Sequence, residues 1–541
     1  MRRLLCVLGF LFTAWWAAAQ DEDILRAARF LSGASSDEQV DEYWVALLEA
    51  RQGRRIRIND GHVRADGLLS DYQIASLADY RSRSGDILSW EELALVDGFS
   101  REWVSVMRPF LSLTSSRLPG AVDTVRLRAT VLARGTLSTF GAKGRVSGES
   151  WRLGGTWRGK DGTFHGEYTW RGFRAVAGDF NVRLGQGLAH WSGFAMESLG
   201  TVDAFVRRTS GLSPVWSFNS SGVHRGGALE YSGPHFRGFL FGSADTWGGH
   251  ADWLGRHGQA GVSVLCSTGQ WVLGLDARWN WKGSDIVAEV AFQNRSVASK
   301  AAWRRTFGSF KMALQGRWIP SRFSGKKNGE YALAAGTSFR SDHWQALSGK
   351  SGFGSSTPEH QLSLTLDAAM LPIPGTDPRR LQVRIYGIWD WQFSSTWMLS
   401  LRFTERYRNY EFPRTAVRTD MRFGHGPWAS VLRLEGVHCE SFGFLNYLEG
   451  GYKDSVWAGY LRLSAFWIDN WNDRIYCYER DAPGTFSVPA YSGRGGAIAL
   501  MGSWKHRFRH VTLKAYLRAA WMARSGRTPA YTLNLQLQCE L

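Results

Sequence analysis

The final eleven residues of the chain, YTLNLQLQCEL, change character at every step. Tyr531, Leu533, Leu535, Leu537, Cys539 and Leu541 fall on one side; Thr532, Asn534, Gln536, Gln538 and Glu540 fall on the other. Successive strand side chains point to opposite faces, so the pattern specifies a strand with one oily and one polar face. It recurs along the chain. Leu362, Leu364, Leu366, Ala368 and Met370 alternate with Ser363, Thr365, Asp367 and Ala369. Leu381, Val383, Ile385, Gly387 and Trp389 alternate with Gln382, Arg384, Tyr386, Ile388 and Asp390. Val511, Leu513, Ala515, Leu517 and Trp521 oppose Thr512, Lys514 and Arg518. Segments run ~10 residues between turn signals, the length a tilted strand needs to cross an outer membrane. The oily faces must meet either a second sheet, as in a soluble sandwich, or lipid.

The other end of the chain narrows the choice. MRRLLCVLGFLFTAWWAAAQ places Arg2 and Arg3 before an apolar run, Leu4 to Trp16, that ends in small residues. That layout predicts a secretory signal over residues 1–19, cleaved after Ala19. No later stretch reaches the roughly 18 unbroken apolar residues of a membrane-spanning helix, so insertion has to be by strands. Composition agrees: 27 Trp and 14% aromatics accompany a mean hydropathy of only −0.26, as expected when lipid-facing and lumen-facing residues alternate. A sandwich or propeller would leave the basic polar faces and the Trp-bearing opposite faces unexplained. The sequence therefore predicts an α + β chain that is mainly all-β. A small helical domain, residues 20–115, precedes a large transmembrane antiparallel barrel over 122–541 with roughly 20–24 strands. Without Arg2 and Arg3 the chain carries 63 basic and 48 acidic residues, a balance that favours anionic partners.

Residues 20–115 carry helix punctuation, and the breaker-rich seam Ser116-Arg117-Leu118-Pro119-Gly120 separates them from the strands. Val40, Tyr43, Trp44, Leu47 and Leu48 recur at helical spacing. Ser70 is placed to cap a helix whose buried stripe is Leu69, Ile74, Leu77 and Ala78, and Gly85 closes it. Ser89 and Glu92 have capping-box spacing. Gly98 then turns the chain, and Ser100 caps a last helix stopped by Pro109.

This stretch resembles the tandem helix-hairpin-helix module of competence-type DNA receptors. The matching residues are Ile58-Asn59, Tyr80-Arg81, Gly85, Glu91-Glu92-Leu93 and Val96-Asp97-Gly98-Phe99. In that family the amides of a Gly-apolar-Gly turn at a helix start hold a DNA phosphate. The resemblance thus nominates Gly98, Phe99, Ser100 and Arg101, with Arg81 and Arg83, as nucleic-acid-binding residues. The pattern departs at Ser100, which stands for the second Gly, and at Asp66-Gly67-Leu68-Leu69-Ser70, which lacks the turn signature. A packing or protein-docking role stands beside DNA binding.

AVAGDFNVRLGQGLAHWSGF (175–194) and RIYCYERDAPGTFSVPAYSGRGGAIALMGSWK (474–505) resemble blocks in large outer-membrane proteins of Bacteroidetes-type bacteria, some of which carry such a module before a barrel. The resemblance implies architecture and leaves activity open. Gly178, Gly185 and Gly187 read as bulge or close-contact glycines, since no helix follows them. No GxSxG elbow or HExxH appears, and Asp390, Asp469, Asp473 and Glu479 sit near expected strand ends, so no enzyme is predicted. Cys266, Cys439, Cys477 and Cys539 lack zinc spacing; no metal, cofactor or disulfide is expected. The expected location is the outer membrane, with the helical domain in the periplasm. Expected partners are outer-membrane lipid and lipopolysaccharide, with DNA and a periplasmic protein as the two further candidates. Three readings stay open: a DNA-engaging translocation assembly, a basic-lumen channel in which the hairpins plug or dock, and a scaffold whose module binds a periplasmic protein.

Overall fold

The structure, a computed structural model, describes residues 22–51, 55–60, 63 and 67–114. It also describes 128–540 apart from turn positions and the segments 194–198, 324–328, 342–358 and 373–378. The predicted signal, the seam at 116–120 and Asp66 lie outside the described residues.

Among the described residues, 24 long antiparallel strands close one barrel, each hydrogen-bonded to its sequence neighbour. The last strand, Ala530–Glu540, closes it on the first, Arg128–Thr136, with Gln536 opposite Arg134. A short strand, Gly211–Pro214, adds to the end of Phe173–Arg183. The alternation read from the sequence sets the two faces. In the last strand Leu535 is 47% exposed and Gln536 1%; Leu533 and Leu537 follow the first, Asn534 and Gln538 the second. Closure removes the unpaired sheet edges that would otherwise seek partners.

The outward face is an apolar band flanked by aromatic side chains. At the end where both barrel termini lie, Trp170 stacks on Phe173, and Trp428 meets Tyr452 edge-on. At the far end Trp247 meets Trp271 and Trp318 meets Tyr331. Two aromatic girdles around an apolar belt are what a lipid-facing barrel displays. By composition the polar stretches 321–330 and 346–359 both suit extracellular loops, but 324–328 and 346–358 lie outside the described residues, and the two stretches follow consecutive strands, Phe310–Ile319 and Glu330–Arg340. In an antiparallel meander consecutive connections leave from opposite ends, so the two cannot share a side.

The N-terminal unit folds around its own core. Its helices are α1 (Glu22–Ser32), α2 (Glu42–Ala50), α3 (Asp71–Ser84), α4 (Trp90–Leu93) and α5 (Arg101–Met107). The expected caps are in place. Ser70 accepts from the Gln73 amide while Gln73 bonds back to the Ser70 amide, Ser89 accepts from the Glu92 amide, and Ser100 from the Trp103 amide. Gly85 ends α3 at φ +85°. The stripe needs one correction: Ala78 is exposed, and Tyr72, Gln73, Ser76 and Leu77 are the buried positions of α3. Asn59, matched in the hairpin resemblance, is a staple. Its amide donates to the Ile87 and Leu113 carbonyls and its oxygen accepts from the Ile87 amide.

Candidate functional site: a helical plug in the barrel lumen

The helical unit sits within the barrel, contrary to the expectation of a domain standing in the periplasm. Its surface carboxylates meet inward-facing cations from strands around the circumference. Glu38 receives Arg418 at 2.9 Å and Arg433 at 2.7 Å. Asp41 meets Arg183 at 3.0 Å, and the Arg183 guanidinium lies 3.6 Å from the Tyr43 ring centroid. Asp71 pairs with Arg237. Glu102 faces Lys311 at 3.3 Å and Arg340 at 3.9 Å. Further hydrogen bonds add to these: Tyr43 shares one with Ser213, Thr201 donates to the Gly33 carbonyl, and the Arg208 guanidinium donates to the Leu68 carbonyl.

Two segments between strands complete the filling, and each overlaps part of one block singled out in the sequence, whose remaining residues are barrel strand. In residues 184–223, the amides of Gln186, Leu188 and Ala189 converge on the Glu289 carboxylate of the barrel wall. Gly185, at φ +49°, has no room for a side chain, because a Cβ there would lie 2.7 Å from that carboxyl carbon. The glycine-rich turn is thus an anion nest filled by the protein's own Glu289, consistent with the close-contact reading of these glycines. In residues 469–492, Asp473 accepts from the Cys439 and Ser441 amides, and Tyr491 donates to Glu479. The Tyr478 amide donates to Glu38, so this segment, the plug and the wall share one carboxylate.

Electrostatics follows burial and pairing. Burial would raise the Glu38 pKa, but Arg418 reverses this and, with the local backbone, holds the carboxyl at about 2. Glu49 behaves oppposite to it: burial pushes it up to about 7 against the pull of Lys143, and its Oε1 is buried without a partner. Burial lowers Arg208, which reaches from residues 184–223 to the Leu68 carbonyl, to about 9.

The six residues nominated for nucleic acid do not form a phosphate cradle. The Gly98 carbonyl accepts from Gln73, and a Cβ on Gly98 would lie 2.9 Å from the Tyr72 ring. Phe99 is buried edge-on against Trp103, and the Ser100 hydroxyl is spent on its cap. Arg81 donates to the Asp60 carbonyl and faces Asp86, and Arg83 pairs with Asp79. Arg101 is exposed, but it begins a helix whose next residue, Glu102, is tied to the wall. The geometry gives the DNA reading no support. Sequence reasoning passed over the residues that matter here, Glu38, Asp41, Asp71 and Glu102. A signal was available: residues 20–115 carry 17 acidic and 11 basic residues, whereas 116–541 carry 31 acidic and 52 basic. Opposite net charge on two parts of one chain predicts that they attract, and it disfavours a phosphate polymer on the acidic part.

Among the described residues, no group of three or more His, Cys, Asp or Glu side chains could hold a metal ion, and Cys266, Cys439, Cys477 and Cys539 are free thiols. No family model and no curated protein matches the chain. Solved structures do. The P pilus usher (PapC) translocation pore is 9% identical, with 76% of this chain and 98% of that one covered at a TM-score of 0.32. OprD of Pseudomonas aeruginosa is 7% identical, covering 77% and 94% at 0.31. An E. coli P pilus tip assembly intermediate, PapC-PapD-PapK-PapG, is 11% identical, covering 78% and 62% at 0.44. These likenesses carry nothing about activity.

Proposed function

We propose that the protein is an outer-membrane channel closed by its own N-terminal plug, and that its role is passage, not catalysis. The barrel's apolar belt and paired aromatic girdles support the membrane setting. The observation that carries the gating is the seating of an acidic helical unit in a basic lumen through Glu38, Asp41, Asp71 and Glu102. A lumen occupied in this way does not conduct until the plug shifts.

The test is ion conductance of purified protein in planar bilayers. The full chain should be nearly silent; a chain lacking residues 22–113, and the double variant Glu38→Gln with Asp41→Asn, should open in steps. Steady conductance of the full chain equal to that of the truncated one would rule out a plug. Mobility that changes on boiling would establish that each variant is folded. A second reading, that a periplasmic protein grips the plug, is favoured by Leu88 and Leu95, each 79% exposed on the helical unit. Co-purification of a partner that depends on both leucines tests it.

A further inference from the structure

Three neighbouring strands, Arg379–Gln392, Trp397–Arg408 and Arg414–His425, place Arg384, Arg406 and Arg414 directly opposite one another. All three share the inward face with buried Gln382, Ser400 and Arg418, while Phe403, Tyr407 and Val417 are exposed on the outward face. Directly opposed residues have Cβ atoms about 5 Å apart, and like charges so placed are destabilising. The row therefore spans about 10 Å and asks for compensation. Among the described residues little is supplied. Arg384 donates to the neutral Gln382 amide oxygen, Arg414 to the Asn472 and Arg474 carbonyls, and the Arg406 Nε is buried without a partner.

Among the described residues the nearby carboxylates are engaged elsewhere. Asp367, which faces Arg384 across the ladder, bonds Arg317; Glu411 bonds Arg380 and Arg408; Asp473 bonds backbone amides. Glu435 lies deeper, opposite Arg418, and Glu405 points outward, bonded to Thr415. All three arginines are half-buried, near the end of the barrel opposite its termini.

We infer that Arg384, Arg406 and Arg414 form a binding site at the far mouth for an oligoanion, a solute bearing two or more phosphate or carboxylate groups about 5 Å apart. Each guanidinium offers a planar fork matched to one such oxyanion. This rests on the channel reading and names its solute class.

The test is calorimetric titration of the full chain in detergent with tripolyphosphate, citrate and acetate at ~50 mM salt, where phosphate contacts are least screened. Tripolyphosphate or citrate should bind and acetate should not; whichever binds identifies the oxyanion, and binding of both means selection by charge and spacing alone. Arg384→Gln and Arg406→Gln should each weaken binding about tenfold, the value of a charge-assisted hydrogen bond, whereas Arg158→Gln should not. Without ligand, Arg406→Gln should leave the melting temperature unchanged or raise it, because it relieves repulsion; a purely structural arginine would lower it. Absence of binding by either oligoanion, or unaltered affinity in both variants, overturns the site. Equilibrium binding needs no opening, so such a failure leaves gating to be judged by conductance alone.

Discussion

Glu38 links the plug, the barrel wall and the segment 469–492. It joins Arg418, Arg433 and the Tyr478 amide, and removing one member of a buried charge network strands the others at a cost of about 3–5 kcal/mol. Glu38→Gln should therefore loosen the plug by that order, read as faster proteolysis of residues 22–113 in the folded barrel. The pH dependence has a definite sign. Glu38 is held at about 2 when seated and returns to the ordinary carboxylate range, about 4.3, when released. Its contribution is complete above about 4.3 and fades as pH falls toward 2. Glu49 runs the other way: raised to about 7 by burial, it favours the seated state most below about 4.3 and loses that contribution as pH rises through 7. Seating should be strongest near pH 5 and weaken toward pH 8. Glu49→Gln should abolish the alkaline part of the profile and leave the acid part, and an unchanged profile in that variant would refute the assignment.

Among elements, the closing strand offers the sharpest contrast. Leu535 faces outward at mid-strand, so Leu535→Arg should cost roughly 2–4 kcal/mol of insertion stability. Thr532→Arg, on the inward face and exposed, should insert normally. The alternation alone suggests that Gln536 should also tolerate an arginine, but Gln536 accepts from Arg134 in a buried contact. Gln536→Arg would oppose two guanidiniums and should assemble poorly. Urea unfolding of the three variants in lipid vesicles separates these outcomes. The comparison marks the boundary of what was legible. Period-two alternation and cap residues such as Ser70 and Ser100 act over a few positions, and they predicted strands, faces and helices. The lumen contacts join residues hundreds of positions apart, Glu38 with Arg433 or Arg134 with Gln536, and depend on closure of the whole barrel. The hairpin motif was visible, but its Phe99 amide, Arg81 and Arg83 are bound internally, which no local pattern records.

At the scale of the whole molecule the chain is two oppositely charged parts, one seated inside the other, with the segments 184–223 and 469–492 packed between them. Charge of this kind is screened where water reaches it and persists where it is buried. Raising salt to ~1 M should therefore weaken exposed contacts such as Arg83–Asp79 and leave the plug seated. The position of the helical unit can be read from an electron-microscopy density map of the full chain in a lipid nanodisc. Helical density should appear inside the barrel, with α2 beside the wall strand that carries Arg183 and the start of α5 beside Lys311. An empty lumen with the helices outside the barrel mouth would contradict this placement.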